Sequence, residues 1–305
     1  METTTCRCVR AGRAAVGSAA LAWLLASLAP LNAAIVGQWD FASGLGASVG
    51  MNLDYFDGPG AATESNTQFG TCATFGIPAI GGQDVHVMRV PPMTGLMGYV
   101  MNPNAAPNGG GWLVNQYSMV LDVYFPAASS GKNRSLIQID EPWLNSNAGE
   151  FYVAADNGLG TLERPQGVVM PDAWHRLVIT TDMAASPPRA VKYVDGVQAG
   201  EEALPDVLDG RWALGTSRAL LFTDNIGGFD VAYINSVQVH DAVLSPGYVA
   251  ALGAPAGDAI AASVVPVAVV GEVRPAANEA FVLPGAAIEV DLLPAGQPIP
   301  ADSVH

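Results

Sequence analysis

A chain of 305 residues, half of them hydrophobic and carrying 34 glycines and 22 prolines, is long enough for one large β domain or two ordinary ones. Its 13 Lys plus Arg stand against 28 Asp plus Glu, a formal net charge of -15. No basic stripe follows a phosphate backbone, so no nucleic-acid partner is expected.

The chain opens with a targeting pattern. Arg7, Arg10 and Arg13 precede an apolar run from Ala14 to Ala29, and Ala33 and Ala34 offer small residues for cleavage, so residues 1–34 read as a secretory signal peptide. The run also approaches the lower limit of a membrane span, about 17 residues. Pro30 and Asn32 interrupt it where a signal peptidase would cut, which favours cleavage, no span in the mature chain, and a secreted or cell-surface location. Cys6 and Cys8 leave with the leader, and the remaining Cys72 cannot form an internal disulfide. Cys72 is expected as a small residue packed near Phe69 and Phe75.

From Ile35 onward, short alternating segments recur between clusters of Gly, Pro, Asn and Asp. In order they are IVGQWDF, DVHVMRV, QYSMVLDVYFP, RSLIQID, EFYVAAD, WHRLVITTD, AVKYVDG, RALLFTD and VAYINSVQVHD. In the third, Tyr117, Met119, Leu121, Val123 and Phe125 share one face, while Ser118, Val120, Asp122 and Tyr124 share the other. Both faces are partly apolar, which predicts a central strand. Ala173 to Gln198 predicts a hairpin, with Leu177 and Ile179 on one face and Arg176 and Val178 on the other. Ser186, Pro187 and Pro188 interrupt the pairing, and Asp195-Gly196 accepts a tight turn.

Ser245 as N-cap, Pro246 at the first helical position and Gly253 as terminator delimit one short helix, with Tyr248, Val249 and Leu252 toward the sheet. A small-residue linker, 255–264, follows. Residues 265–305 alternate again through Ile288, Val290 and Leu292 and read as the opening of a second, immunoglobulin-like β-sandwich, or as a C-terminal extension. The fold class expected is all-β, with two packed antiparallel sheets.

Three stretches carry a family likeness: VVMPDAWHRLVITTD, KYVDGVQ and FTDNIGGFDVAYINSVQVHDAVLSPGYVAALG. Their order resembles that of laminin G-like, concanavalin A-like jelly-roll domains of the lectin and glucanase superfamily. The matching landmarks are Trp174-His175 opening a strand, the hairpin Tyr193 to Gly196, and Ala242 to Gly253 leading into a terminal helix. GQWDF, Gly37 to Phe41, resembles the first strand, so the likeness covers 35–254. Val231, Ala232 and Tyr233 depart from the family's hydrophobic-Asp-Glu at the last strand. The resemblance implies a jelly-roll sandwich, and domains of this kind often bind calcium near their loops.

Catalytic motifs do not emerge. Glu289-Val290-Asp291 is the one Glu-x-Asp, lacks the third carboxylate of a glucanase strand and falls outside 35–254. His86, His175, His240 and His305 lack zinc-ligand spacing. The chain is therefore read as a non-enzyme.

Binding chemistry has better candidates. In FTDNIGGFD, Asp224, Asn225 and Asp230 offer hard oxygen ligands, Gly227-Gly228 lets carbonyls join them, and Asp40 is a candidate fourth ligand for calcium. The same residues also make an ordinary solvated turn. A sugar site needs an aromatic platform beside carboxylates and amides. Trp112, after the loop NPNAAPNGGG, is one candidate; Trp143, with Asp140, Glu141 and Asn145 around it, is the other. Each tryptophan suits a core or sheet-edge position better than a platform, since Trp112 opens an apolar WLV run and Trp39, Trp174 and Trp212 already read as structural.

The expected function is thus a secreted, calcium-stabilised, non-catalytic module that binds an extracellular glycan or a surface protein. Two alternatives are an N-terminal accessory module of a larger exported hydrolase, glycosidase or phosphoesterase, and a structural adhesion spacer. Further domains of a longer chain are expected.

Overall fold

The computed structural model describes residues 33–60, 62–139, 148–215, 218–224, 229–257, 259–261, 269–274 and 289–293. Residues 1–32, 140–147, 225–228 and most of those beyond 261 lie outside them.

The architecture is an all-β sandwich of two antiparallel sheets. Its strands are β1 (Ile35–Trp39), β2 (Asp54–Asp57), β3 (Gln68–Thr71), β4 (His86–Val90), β5 (Met97–Met101), β6 (Gln116–Tyr124) and β7 (Arg134–Gln138). They continue as β8 (Glu150–Val153), β9 (Leu159–Gly160), β10 (Trp174–Asp182), β11 (Arg189–Val194), β12 (Val197–Ala203), β13 (Ala219–Leu221) and β14 (Ala232–His240), with the short helices α1 (Thr63–Asn66), α2 (Cys72–Phe75) and α3 (Pro246–Leu252). The larger sheet runs β12-β11-β10-β6-β14-β4-β3, with β1 also on β14, and the smaller runs β2-β5-β13-β7-β8-β9.

The long central strands fix the register. β6 and β10 pair from Trp174 opposite Tyr124 to Asp182 opposite Gln116. On its other edge β6 pairs with β14, which bulges between Ile234 and Ser236. The free edge of β14 is shared: β4 takes Ala232 to Ile234, and β1 takes Val237 to His240. The hairpin expected from the sequence is β10–β11, and Asp195-Gly196, both at positive φ, turn β11 back into β12.

Alternation decides which side chains enter the space between the sheets. Tyr117, Met119, Leu121, Val123, Leu177, Ile179, Val237 and Val239 from the larger sheet meet Tyr99, Met101, Phe151, Val153 and Leu221 from the smaller. Burial of this apolar area is the main stabilising term, at about 25 cal/mol per Å².

The outer face of the larger sheet is closed by α3 (Pro246–Leu252), whose Val249 and Leu252 pack with Leu244 on Val120, Val178 and Tyr193. Ser245 caps it by accepting from the Tyr248 amide, and Gly253 ends it, as the sequence signals require. Beneath it lies a buried ion pair. Arg176 Nε and Nη2 donate to Asp122 Oδ1 and Oδ2, each at 2.7 Å, and Arg176 Nη1 donates to the Leu252 carbonyl at 2.6 Å.

Cys72 begins α2 (Cys72–Phe75) and is buried with Ile80 and Val87 against Phe75, while the Phe69 expected beside it packs against the main core. Beyond 261, the described residues form β15 (Val269–Arg274) and β16 (Glu289–Leu293), an antiparallel pair. Among the described residues no helix is long and apolar enough to cross a membrane.

Candidate functional site

Trp112 stands on a loop that passes through three consecutive glycines at positive φ, Gly109 to Gly111. Gly111 is required sterically as well, because a Cβ there would lie 2.1 Å from Asp209 Oδ2. That carboxylate is the clamp. Asp209 accepts the Trp112 amide at 3.0 Å, the Leu113 amide at 2.8 Å and the Asn115 side-chain amide at 2.9 Å. Asn115, fully buried, accepts the Asp209 amide in return at 2.8 Å and donates to the Gly110 carbonyl at 2.8 Å. Desolvation pushes the Asp209 carboxyl upward, but the hydrogen bonds from Asn115, Leu113 and Trp112 outweigh it and hold the group below its ordinary range.

The consequence is a fixed backbone beneath an exposed ring. Trp112 is 74% exposed, which overturns the core or sheet-edge position that its WLV run also suited. Val207 and Leu208, from the loop that supplies Asp209, are exposed as well, at 69% and 42%. Loop and strand ends interlock further along. Val114 and Leu214 exchange backbone hydrogen bonds at 3.0 Å, Tyr117 Oη donates to the Trp212 carbonyl at 3.0 Å, and the Gly149 amide donates to the Arg211 carbonyl at 2.7 Å. Arg211 lies over the Trp212 ring, 4.4 Å from its centroid, and donates to the Ala148 carbonyl at 3.2 Å.

Next to Gly149, β8 starts with a polar cluster on the outer face of the smaller sheet. Alternation puts Glu150 and Tyr152 on that face while Phe151 enters the core. Tyr152 Oη donates to Glu150 Oε2 and also lies 3.2 Å from Asp224 Oδ2. Asp224 arrives from β13 through Phe222, a buried aromatic at φ 57, a conformation that costs a non-glycine residue about 1–2 kcal/mol. Gln138 stands directly opposite Glu150 and is 1% exposed, with Oε1 unpartnered. On its other side is Leu220, part of an apolar patch with Val100 and Phe56. Burial pushes the Glu150 carboxyl up; Asp224 adds to this, while the Tyr152 bond and Arg211 oppose it.

The carboxylates expected to share a calcium ion do not form one ligand set. Asp40 belongs to the outer face of the larger sheet, where it accepts from Gln38 Nε2 at 3.0 Å and Ser236 Oγ at 3.1 Å. It continues a ladder that runs Gln38, Gln238 and His240 and stitches Ile260 to the sheet. Asp230 is ion-paired with Lys132 and accepts the Val231 amide. Asp224, in turn, faces Tyr152 on the smaller sheet. Among the described residues no three His, Cys, Asp or Glu side chains gather as a metal site. Asn225, Asp140, Glu141, Trp143 and Asn145 lie outside the described residues.

Sequence reasoning passed over Glu150, Tyr152 and Gln138, although EFYV carries the signal that the first two share a face.

No family model and no curated protein matches the chain. Among solved structures it is similar to the receptor-binding domain of botulinum neurotoxin type G, with 12% identity and a TM-score of 0.44 over 71% of this chain and 50% of that one. It is also similar to domain 4 of AbnA, a GH43 extracellular arabinanase from Geobacillus stearothermophilus, in complex with arabinotriose. There the identity is 14% and the TM-score 0.49, over 72% of this chain and 97% of that one. The chain spans about half the length of the neurotoxin domains it matches.

Proposed function

We propose that this chain is an exported, non-catalytic recognition module, a laminin G-like jelly roll that binds an extracellular glycan at the end of the sandwich carrying Trp112. The observation behind this reading is a tryptophan 74% exposed on a backbone fixed by Asp209 and Asn115. An indole left in water is a standing hydrophobic cost, and a sugar's apolar face relieves it by stacking. A loop that is already ordered loses little entropy on binding, so the contact keeps most of its free energy.

A non-catalytic role fits the facing carboxylates. Glu150 and Asp224 approach the same phenolic oxygen, which fills the space a glycosidic oxygen would need between an acid and a nucleophile. Val207 and Leu208 beside the tryptophan's loop favour a second reading, a surface-protein partner, since protein hot spots combine an aromatic anchor with flanking apolar contacts.

Affinity electrophoresis of the full chain through gels containing a panel of neutral and acidic polysaccharides tests the proposal. Retardation by one polymer, lost in Trp112→Ala, supports glycan binding through this ring. Uniform migration in every gel sinks it for that panel and leaves the protein-partner reading.

A further inference from the structure

The outer face of the larger sheet is closed by α3 over Val120 and Val178, but toward the end of β6 the same face carries a different surface. Strand register lines up one residue from each of five strands there. Trp174 of β10 stands opposite Tyr124 of β6, Tyr124 opposite Tyr233 of β14, Tyr233 opposite Arg89 of β4, and Arg89 opposite Gln68 of β3. Directly opposed residues project from one face of a sheet, and here it is the outer one, because the chain neighbours Val123, Ile234, Met88 and Val90 enter the main core. Four strand spacings give the row a length of ~19 Å, an oligosaccharide's length rather than a single sugar's.

The rings support one another. Tyr124 is 5.6 Å from Trp174 and 5.9 Å from Tyr233, centroid to centroid, and Phe75 of α2 packs on Tyr233 at 5.4 Å. Trp174 Nε1 donates to the Pro78 carbonyl at 2.7 Å, which fixes the indole. Tyr124 is buried among these rings, while Trp174, Tyr233 and Arg89 stay partly exposed and Gln68 is exposed. Charge differs along the row. Beside Tyr124, the Asp172 carboxylate accepts from the phenol at 3.2 Å. Toward the β3 edge stands Arg89, and among the described residues no hydrogen bond or ion pair engages its guanidinium. Lys132, Arg176, Arg189 and Lys192, by contrast, each face a carboxylate of the chain.

We propose that this row binds a glycan bearing an isolated uronic-acid residue, whose carboxylate takes the Arg89 fork while neighbouring sugars lie across Tyr233 and Trp174. A planar guanidinium matches a carboxylate with two parallel hydrogen bonds, and aromatic rings take the apolar faces of sugars. Asp172 and the formal net charge of -15 disfavour a continuous polyanion, so the fitting ligand carries its acid singly among neutral sugars. The row is separate from the Trp112 site: Trp112 precedes the first residue of β6 and Tyr124 is its last, with roughly 27 Å of strand between its ends.

Affinity electrophoresis of the full chain through gels of glucuronoxylan, run beside the same polymer with its carboxyl groups reduced to alcohols, tests the proposal. Retardation is expected in the native polymer and not in the reduced one. Arg89→Gln weakens the binding by roughly 10- to 100-fold, the loss expected for a charge-assisted contact, Arg89→Lys weakens it less, and Trp112→Ala leaves it unchanged. Four results overturn the site: no retardation by native glucuronoxylan, equal retardation by the reduced polymer, undiminished binding in Arg89→Gln, or binding lost in Trp112→Ala. The last of these would assign the same polymer to the Trp112 end. Tighter binding to fully charged polygalacturonate would overturn the isolated carboxylate.

Discussion

Replacing Asp122 by Asn is expected to remove a large share of the stability of the fold. The Asp122 side chain is fully buried and that of Arg176 is 5% exposed. Burial pushes the Asp122 carboxyl up, and the two Arg176 hydrogen bonds pull it back. The guanidinium cannot discard its own charge. In Asp122→Asn it would face one acceptor oxygen where it now meets two, with an amide N–H turned toward one of its own donors. Removing one member of a buried ion pair costs about 3–5 kcal/mol. The bond from Arg176 Nη1 to the Leu252 carbonyl survives, so the lower end, about 3 kcal/mol, applies. Against a typical stability of about 5–15 kcal/mol that is a fifth or more of the total, and it corresponds to a midpoint lowered by about 6–12 °C. Urea unfolding of the full chain, followed by tryptophan fluorescence and far-ultraviolet circular dichroism, measures it. A loss under about 1 kcal/mol would refute the ionic picture and mean that Asp122 already carries a proton beneath α3. The double substitution Asp122→Leu with Arg176→Met should recover most of the loss, because buried pairs exchange well for apolar residues of similar volume.

Other expectations follow from the same geometry. Lys192 Nζ, fully buried, donates to Glu202 Oε1 at 3.2 Å and to the Arg164 carbonyl at 3.1 Å, and Thr161 donates to both Glu202 oxygens. Lys192→Met should cost about 3 kcal/mol in urea unfolding, and adding Glu202→Gln should restore much of it by removing the stranded charge while keeping an acceptor for Thr161. Asp209→Ala should speed hydrogen exchange at the Trp112 and Leu113 amides; unchanged rates would show that the carboxylate does not hold that loop. His240 has its pKa lowered below 6.5, first by burial, so the folded state binds its proton more weakly than the unfolded chain. Its contribution to stability is complete above about pH 6.5 and is lost as pH falls from there toward the folded value, a slope that His240→Gln should remove.

Alternation made much of the fold legible and left the rest ambiguous for identifiable reasons. β6, β10 and β14 are nine residues each with clear two-residue periods, and all three were readable from the sequence. β5 was not, because every residue of MGYVM is buried and no period survives. It also contains Gly98 at φ 145, where a Cβ would lie 2.4 Å from Thr223 Cγ2, and a glycine inside a short segment reads as a break. β2 and β3 are four residues each, and neither DYFD, bounded by aspartates, nor QFGT, with its glycine, offers the unbroken strand-forming run of the equally short EFYV.

The site was less legible, since periodicity assigns a residue to a face without naming its neighbour. Asp40, Asp224 and Asp230 look alike as oxygen donors in sequence, yet strand order sends Asp40 to one sheet and Asp224 to the other, while Lys132, 98 residues earlier than Asp230, claims the third. The glycine run before Trp112 suggests a loose loop, and what stiffens it is Asp209, 97 residues away. Gln138 and Glu150 are separated by a loop whose length sets no register, so their opposition could be seen only once β7 and β8 were paired. The chemistry therefore sits at contacts between segments distant in sequence. That is where a sandwich of short strands must place it, because its backbone hydrogen bonds and its polar clusters are both made across strands and not along them.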